Sequence, residues 1–109
     1  MVGAQRFDGE RWVDLTLERD LAGFENTRHT FYGSEAATSL GLRLLPQLRS
    51  ADLFVVGDEL VELRGEVHAL LDAVIGRPDE QYWVERLTNI ATAIELVIGY
   101  GADGAVSIG

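Results

Sequence analysis

The chain has 109 residues, no cysteine and a formal net charge of −9. Its length fits one compact domain over residues 1–109, and the lack of cysteine excludes disulfides, thiolate nucleophiles and cysteine metal sites. The acidic balance argues against binding to nucleic acid, and no apolar run suits a signal peptide or a membrane span. A cytoplasmic protein with no membrane contact is therefore the expectation.

The first predicted element is a β-hairpin in the segment QRFDGERWVDLTLERD. Asp8-Gly9 is a favoured pair for the centre of a two-residue turn. After the turn, apolar and polar positions alternate, so one face of the second strand should point to the core and the other to water. The inward positions are Val13, Leu15 and Leu17. Trp12 falls on the polar face, where an aromatic side chain is either an interface contact or part of the fold.

Several shorter elements follow the hairpin. The segment LAGFENT, residues 21–27, is predicted as a loop, and RHTFY, Arg28–Tyr32, as a third strand. Ser34 is a plausible N-cap for a helix over EAATSLGLRLL, residues 35–45. The inner face of that helix would carry Ala37, Leu40 and Leu44. Pro46 should end or kink it, because proline lacks an amide proton and clashes with the preceding turn. DLFVV, residues 52–56, is predicted as a short buried strand.

Two longer helices carry clear apolar stripes. Asp58 is the candidate N-cap of the first, which Gly76 and Pro78 end. Asp79 is the candidate cap of the second, with Glu80 in its first turn, where the helix dipole favours an acid. The stripe of the first helix consists of Leu60, Leu63, Val67, Leu70, Leu71 and Val74. The stripe of the second consists of Trp83, Leu87, Ile90, Ile94 and Val97.

The segment GYGADG, residues 99–104, has the spacing G-x-G-x-x-G but not the context of a dinucleotide site. In such a site the glycines follow a strand and open a helix, whose N-terminus holds the pyrophosphate. Here the preceding residues have helical periodicity and the following AVSIG is typical of a short strand. We interpret the glycines as a helix end and a turn, because glycine tolerates the positive φ that both need. No cofactor is predicted.

The predicted elements in chain order are three strands, a helix, a strand, two helices and a final strand. This order is typical of an α+β fold. We predict a mainly antiparallel sheet of four to five strands, with about three helices packed on one face.

The acidic charge is concentrated in the second half of the chain. Residues 51–109 hold eleven acidic residues and three arginines, against seven and six in residues 1–50. Glu62 and Glu66 lie one turn apart, away from the leucine stripe, and are expected to face water. This pattern predicts either an acidic contact surface or an ordinary solvated helix face. The predicted partner-binding residues are Asp58, Glu59, Glu62, Glu66 and Asp72.

Enzymatic chemistry has weaker support. His68 and Asp72 lie one helical turn apart and could form a His–carboxylate pair that acts as a base or orients a metal ligand. A metal site needs three or four ligands, and His29 is the one remaining imidazole, so no metal is predicted. G-x-S-x-G, P-loop, zinc-finger and EF-hand patterns are all absent from the sequence. A non-enzymatic protein is therefore expected.

A second surface is predicted on the flank of the last long helix. Tyr82 and Leu96 lie there with Asn89 and Ala93, away from the centre of the main stripe. A helix that is apolar on two sides is either sandwiched within its own fold or in contact with another chain. Tyr82 and Leu96 are therefore candidate self-association residues, for example in a homodimer.

Two functional hypotheses follow from these two surfaces. The first is a non-enzymatic protein-binding module, an acidic inhibitor or bacterial immunity-type protein, whose carboxylates pair with arginine or lysine of a basic partner. The profile of a small, cysteine-free, acidic α+β domain also describes many bacterial immunity proteins, which is an analogy of composition. The second is a structural, self-associating protein. A small enzyme or ligand-binding domain that uses His68 and Asp72 ranks third.

Overall fold

One antiparallel sheet holds all the strands of the computed structural model, which describes residues 1–23 and 26–109. The strands are β1 (Val2–Phe7), β2 (Trp12–Leu15), β3 (Leu53–Val56) and β4 (Gly104–Ile108). Their order across the sheet is β2-β1-β4-β3, with every neighbouring pair antiparallel. The predicted hairpin and the predicted terminal strand are confirmed. The predicted loop, residues 21–27, includes positions 24 and 25, which lie outside the described residues.

The turn of the hairpin is displaced by one residue from the predicted position. The Asp8 N–H donates to the Arg11 carbonyl at 3.0 Å, so that Gly9 and Glu10 are the central pair. The Asp8 carboxylate accepts the N–H groups of Glu10 and Arg11 at 2.9 and 3.0 Å. An aspartate side chain that accepts backbone N–H groups two and three residues later stabilises a turn from its first position.

Three α-helices accompany the sheet in the described residues. They are α1 (Glu35–Ser39), α2 (Glu59–Val74) and α3 (Glu80–Val97). Helices α2 and α3 pack against each other, α3 over β1 and β4 and α2 against β3. The α+β architecture is confirmed, with four strands. Within residues 1–23 and 26–109, no helix combines the length and the apolarity that crossing a membrane requires.

The core lies between the long helices and one face of the sheet. Val2, Ala4 and Val106 line that face and are buried. All members of the two predicted helix stripes are buried except Leu71, which is half-buried. The helical period therefore identified the inner faces correctly, because burial of apolar side chains is what places these helices.

The segment predicted as a third strand, Arg28–Tyr32, is instead a π-helical turn. Its aromatic residues suggested a strand, but Phe31 and Tyr32 are both buried, whereas consecutive side chains of a strand point to opposite faces. The Phe31 ring stacks on Trp83 with a centroid distance of 3.5 Å, and the Tyr32 hydroxyl donates to the Ala22 carbonyl at 2.6 Å. Packing against α3 thus overrides local propensity.

The helix after Ser34 is shorter than predicted. The Ser34 hydroxyl accepts the N–H of Ala37 at 3.2 Å, which confirms the N-cap. The helix ends at Ser39, and Leu40, predicted on its inner face, is 49% exposed. Pro46 does not end this helix, since it lies in the first turn of a separate 3-10 helix, a position that tolerates proline.

The GYGADG segment leads from α3 into β4, in the predicted order of helix, glycine turn and strand. Gly101 has φ 59° and ψ −128°, a conformation that residues with a Cβ rarely adopt. A Cβ on Gly104 would lie 2.2 Å from the Val97 carbonyl oxygen. These two glycines shape the connection from helix to strand.

Candidate functional site

The predicted acidic surface on α2 divides into buried, paired and free carboxylates. Glu66 is 5% exposed, so the expectation that it faces water is wrong. Its carboxylate accepts the backbone N–H groups of Arg43, Leu44 and Leu45 at 2.8 to 3.1 Å. Buried N–H groups need an acceptor, and a carboxylate is especially favourable at the start of a helical turn. Glu66 is therefore a structural residue that joins α2 to the segment preceding Pro46.

Glu59 and Glu62 are exposed but share one cation. The Arg43 guanidinium lies 2.6 Å from a Glu59 oxygen and 2.8 Å from a Glu62 oxygen. The hydrogen bonds that Arg43 donates to Glu62 and Glu59 raise the pKa of Arg43, and those to Glu62 lower the pKa of Glu62. These three side chains carry a net charge of −1 together, so this part of α2 is less acidic than its sequence suggests.

Asp58, His68 and Asp72 are exposed on α2 or at its start. Helix α2 begins at Glu59 as predicted, but the Asp58 side chain makes no capping hydrogen bond. In the described part of the chain, no hydrogen bond or ion pair joins His68 to Asp72. Nor does that part contain three or more His, Asp or Glu side chains grouped so that they could hold a metal ion.

A groove of about 680 Å³ runs between α3 and the chain that follows β2. Val84 and Leu96 contribute its exposed apolar surface, at 38% and 45% exposure. Thr16 from the segment after β2 faces Thr88 and Thr92 of α3 across this groove. The groove thus combines apolar and hydroxyl groups at the end of β2, a strand that has a neighbour on one side only among the described residues.

The rim of this groove is acidic. It carries the carboxylates of Glu18, Glu85 and Glu95 and one guanidinium, that of Arg19. Two of these carboxylates also meet arginines outside the groove, at 3.2 Å for Glu85 and 3.4 Å for Glu95. Exposed ion pairs of this kind are weak and exchange readily with other partners. The groove therefore favours a cationic ligand over an anionic one.

The two predicted self-association residues have different surroundings. Leu96 lines the groove, whereas Tyr82 packs edge-on against Trp83, with ring centroids 5.0 Å apart, and lies beneath the Arg86 guanidinium at 4.1 Å. Fourteen residues of helix separate them, about 21 Å along its axis. Tyr82 is thus partly occupied by its own fold, and Leu96 is the more available of the two.

The open face of the sheet carries an aromatic cluster that the sequence interpretation missed. Trp12 does lie on this outer face, where its ring is 5.4 Å from Phe7 and 5.4 Å from Phe54. Phe54 is 52% exposed, while Ala105, on the same face, is fully buried. Strand alternation in LFVV could have indicated this, since Leu53 and Val55 point inward and Phe54 must then point outward.

Comparison with known proteins finds no family model that matches the chain, and no curated protein or solved structure similar to it.

Proposed function

We propose that this chain is a non-enzymatic protein-binding module of the inhibitor or immunity type, and that a basic partner docks in the groove between α3 and the segment that follows β2. The observation that carries the proposal is the groove itself, with exposed Val84 and Leu96 inside an acidic rim. Apolar anchors supply affinity in protein interfaces, while charged rims act mainly on association rate and partner choice.

The free edge of β2 supports a polypeptide as the occupant. In an antiparallel hairpin, hydrogen-bonded and non-hydrogen-bonded residue pairs alternate along the strands. Asp8 and Arg11 form a hydrogen-bonded pair, so Trp12 and Asp14 occupy non-hydrogen-bonded positions. The backbone N–H and C=O groups of Trp12 and Asp14 therefore point away from β1. Such unpaired groups can bind the backbone of an added segment. The groove begins at Thr16, just beyond the end of β2, and is large enough to take side chains of that segment.

The charge of the whole chain supports a basic partner. The net charge of the chain is −9, and the groove lining holds three of its carboxylates and one arginine. Two of these carboxylates, Glu85 and Glu95, also pair with arginines outside the groove. In this proposal the exposed acids of α2, Asp58, Glu59, Glu62 and Asp72, contribute to long-range attraction. Glu66 takes no part in contact, because it is buried and accepts backbone N–H groups of residues 43–45. The absence of cysteine fits a reducing compartment, and we place the interaction in the cytoplasm.

Self-association through the same groove is the second candidate, supported by the 45% exposure of Leu96. Two copies of this groove would bring like-charged rims together, which disfavours a symmetric pairing. A basic partner is therefore preferred over a second copy.

The experiment is affinity capture from native cells with three baits: the wild type, Leu96→Arg and Val61→Arg. Val61 is the matched control, since it is an exposed apolar residue of α2, 55% accessible, outside the groove. We expect one basic protein, retained by the wild type and by Val61→Arg and lost with Leu96→Arg. Binding between the two purified proteins, weakened by salt, must then reproduce this pattern.

Two results would contradict the docking proposal. Equal retention by all three baits would place the interface elsewhere. If sedimentation of the purified wild type shows a dimer that Leu96→Arg dissociates, and no partner is retained, the self-association hypothesis replaces it.

A further inference from the structure

The open face of the sheet contains a hollow of about 480 Å³, on the side away from the helices. Its floor is formed where Gly3 of β1 pairs with Ser107 of β4. A Cβ on Gly3 would lie 2.5 Å from the Ser107 hydroxyl oxygen and 2.7 Å from the Gln5 amide nitrogen, so glycine keeps this floor open. Asp14 and Asp52 stand at its edges.

Gln5 gives this hollow an unsatisfied acceptor. The side chain is 9% exposed, and its amide nitrogen donates to Asp14 Oδ1 at 3.2 Å and to the Ser107 hydroxyl at 2.9 Å. The Asp14 carboxylate can only accept hydrogen bonds, so the Gln5 amide nitrogen, and not its oxygen, must face Asp14. The Gln5 carbonyl oxygen is buried and has no donor among the described residues. Buried acceptors in this condition are uncommon in folded proteins.

The carboxylates at the edges differ in their partners. Asp52 forms an ion pair with Arg28. Asp14 is exposed and, among residues 1–23 and 26–109, makes no ion pair. The hollow therefore exposes one uncompensated carboxylate and a hydroxyl, and the unsatisfied Gln5 carbonyl oxygen is buried in its wall. These groups suit a cation with several N–H donors.

An aromatic surface adjoins these acceptors. Phe54 lies directly opposite Ser107 in the pairing of β3 with β4, and its ring meets Trp12 edge-on at 5.4 Å. A guanidinium group is planar, carries five N–H donors and stacks on aromatic rings. A lysine ammonium offers three donors and no flat surface.

We propose that this hollow binds a guanidinium group, that of an arginine side chain on a protein partner. The guanidinium donates to Asp14 and to the Gln5 carbonyl oxygen, which a shift of the Gln5 side chain exposes. Its flat face lies toward Phe54, which neighbours Ser107 at the margin of the hollow and belongs to the aromatic cluster of Phe7, Trp12 and Phe54. This site is separate from the groove between α3 and the segment that follows β2, because it lies on the face of the sheet away from the helices. The proposal for this site does not depend on docking in that groove.

The test is an NMR titration of the full chain with N-acetyl-L-arginine amide. The reporters are the side-chain amide of Gln5 and the indole N–H of Trp12. The indole N–H of Trp83, which donates to Asp79 at 3.0 Å inside the fold, is the internal control. We expect saturable shifts at the two reporters, no shift at Trp83, and no saturable shift with the neutral isostere N-acetyl-L-citrulline amide.

The decisive variant is Asp14→Asn, whose amide oxygen still accepts from Gln5, so that the fold is kept. It should bind the arginine amide about tenfold more weakly, since a charge-assisted hydrogen bond is lost. Asp103→Asn, at an exposed carboxylate that lines neither the hollow nor the groove, is the matched control and should bind like the wild type. The titration is repeated with free L-arginine. If free L-arginine binds more tightly than N-acetyl-L-arginine amide, the guanidinium that this site binds is that of the free amino acid and not that of a protein side chain.

Three results would overturn the proposal: no saturable shift with the arginine amide, equal shifts with the citrulline amide, or undiminished binding by Asp14→Asn. None of them bears on capture of a partner through Leu96, so failure here and failure of the docking groove are distinguishable.

Discussion

The Glu66 carboxylate accepts the backbone N–H of Leu45 at 2.8 Å across 21 residues of chain. It also accepts the N–H groups of Arg43 and Leu44, so a side chain of α2 supplies the acceptors that this irregular segment lacks. Arg43 in turn binds Glu59 and Glu62. An acidic helix face that resembles a solvated surface is therefore partly internal structure.

Removing the Glu66 carboxylate should destabilise the protein strongly. We expect Glu66→Ala to lower the free energy of unfolding by about 3–5 kcal/mol, because it leaves several buried N–H groups unpaired. Glu66→Gln keeps one acceptor oxygen and should cost about 1–3 kcal/mol. Urea unfolding measures both, and exposed Asp72→Asn, expected within about 0.5 kcal/mol of the wild type, is the control. A wild-type stability for Glu66→Ala would contradict the structural role.

The Glu62 carboxyl should titrate below its usual value of 4.5 because Arg43 donates hydrogen bonds to it. A carboxyl whose pKa is lowered by folding stabilises the protein above its unfolded pKa, and this contribution is lost as pH falls through the folded pKa. NMR titration of the side-chain carboxyl should show the low pKa in the wild type and a return toward 4.5 in Arg43→Gln. High salt should reduce the difference, since the pair is exposed. An unchanged Glu62 pKa in Arg43→Gln would contradict the assignment.

Tyr32 should resist ionisation. Burial, followed by the proximity of Tyr82, raises the pKa of its hydroxyl well above the usual 10.0. Its contribution to stability is fully present below pH 10 and is lost as pH rises from there toward the folded pKa. Tyrosinate absorbance should therefore show one tyrosine that ionises only as the protein unfolds in alkali.

The variant Tyr32→Phe identifies that tyrosine. It should abolish the late-ionising fraction and cost about 1–2 kcal/mol, because the Ala22 carbonyl loses its donor. Tyr100→Phe, at a site that is 47% exposed, should leave the late fraction in place. If the tyrosinate absorbance of the wild type shows no late-ionising fraction, Tyr32 is not buried.

Two glycines should respond in opposite ways to alanine. Gly65 lies in the middle of α2 with open space around the position of a Cβ, so Gly65→Ala should stabilise the protein by about 0.5–1 kcal/mol. Gly104→Ala should destabilise it severely, because the added Cβ meets the Val97 carbonyl oxygen. Thermal unfolding of both variants checks the pair, and a stabilising Gly104→Ala would mean that β4 does not pack closely on α3.

The two long helices, the hairpin and the terminal strand were predictable because each signal is local and repeated. A stripe such as that of Leu60, Leu63 and Val67 recurs with the helical period, and a single misleading residue does not erase it. The strand that contains LFVV was also predictable, because its run of apolar residues is a local signal. The same run implies that Phe54 points outward, and the sequence prediction did not include that consequence.

The failures involve contacts with distant partners. Arg28–Tyr32 has strand-like composition, but stacking of Phe31 on Trp83 makes it helical. Glu66 lies on the polar side of α2, and it is buried because residues 43–45 pack over that side. Trp83 is far from Phe31 in the sequence, and residues 43–45 are far from Glu66. A local sequence pattern therefore cannot indicate either contact.

By itself the sequence determined the fold class, the inner faces of α2 and α3 and the acidic balance, because periodicity and charge are properties of the chain. The tertiary structure decided which carboxylates are free, which are paired and which are buried, because that depends on the backbone and the cations that folding brings to them. It also formed the groove beside Leu96 and the hollow beside Gln5, since each is assembled from segments that are far apart in the chain.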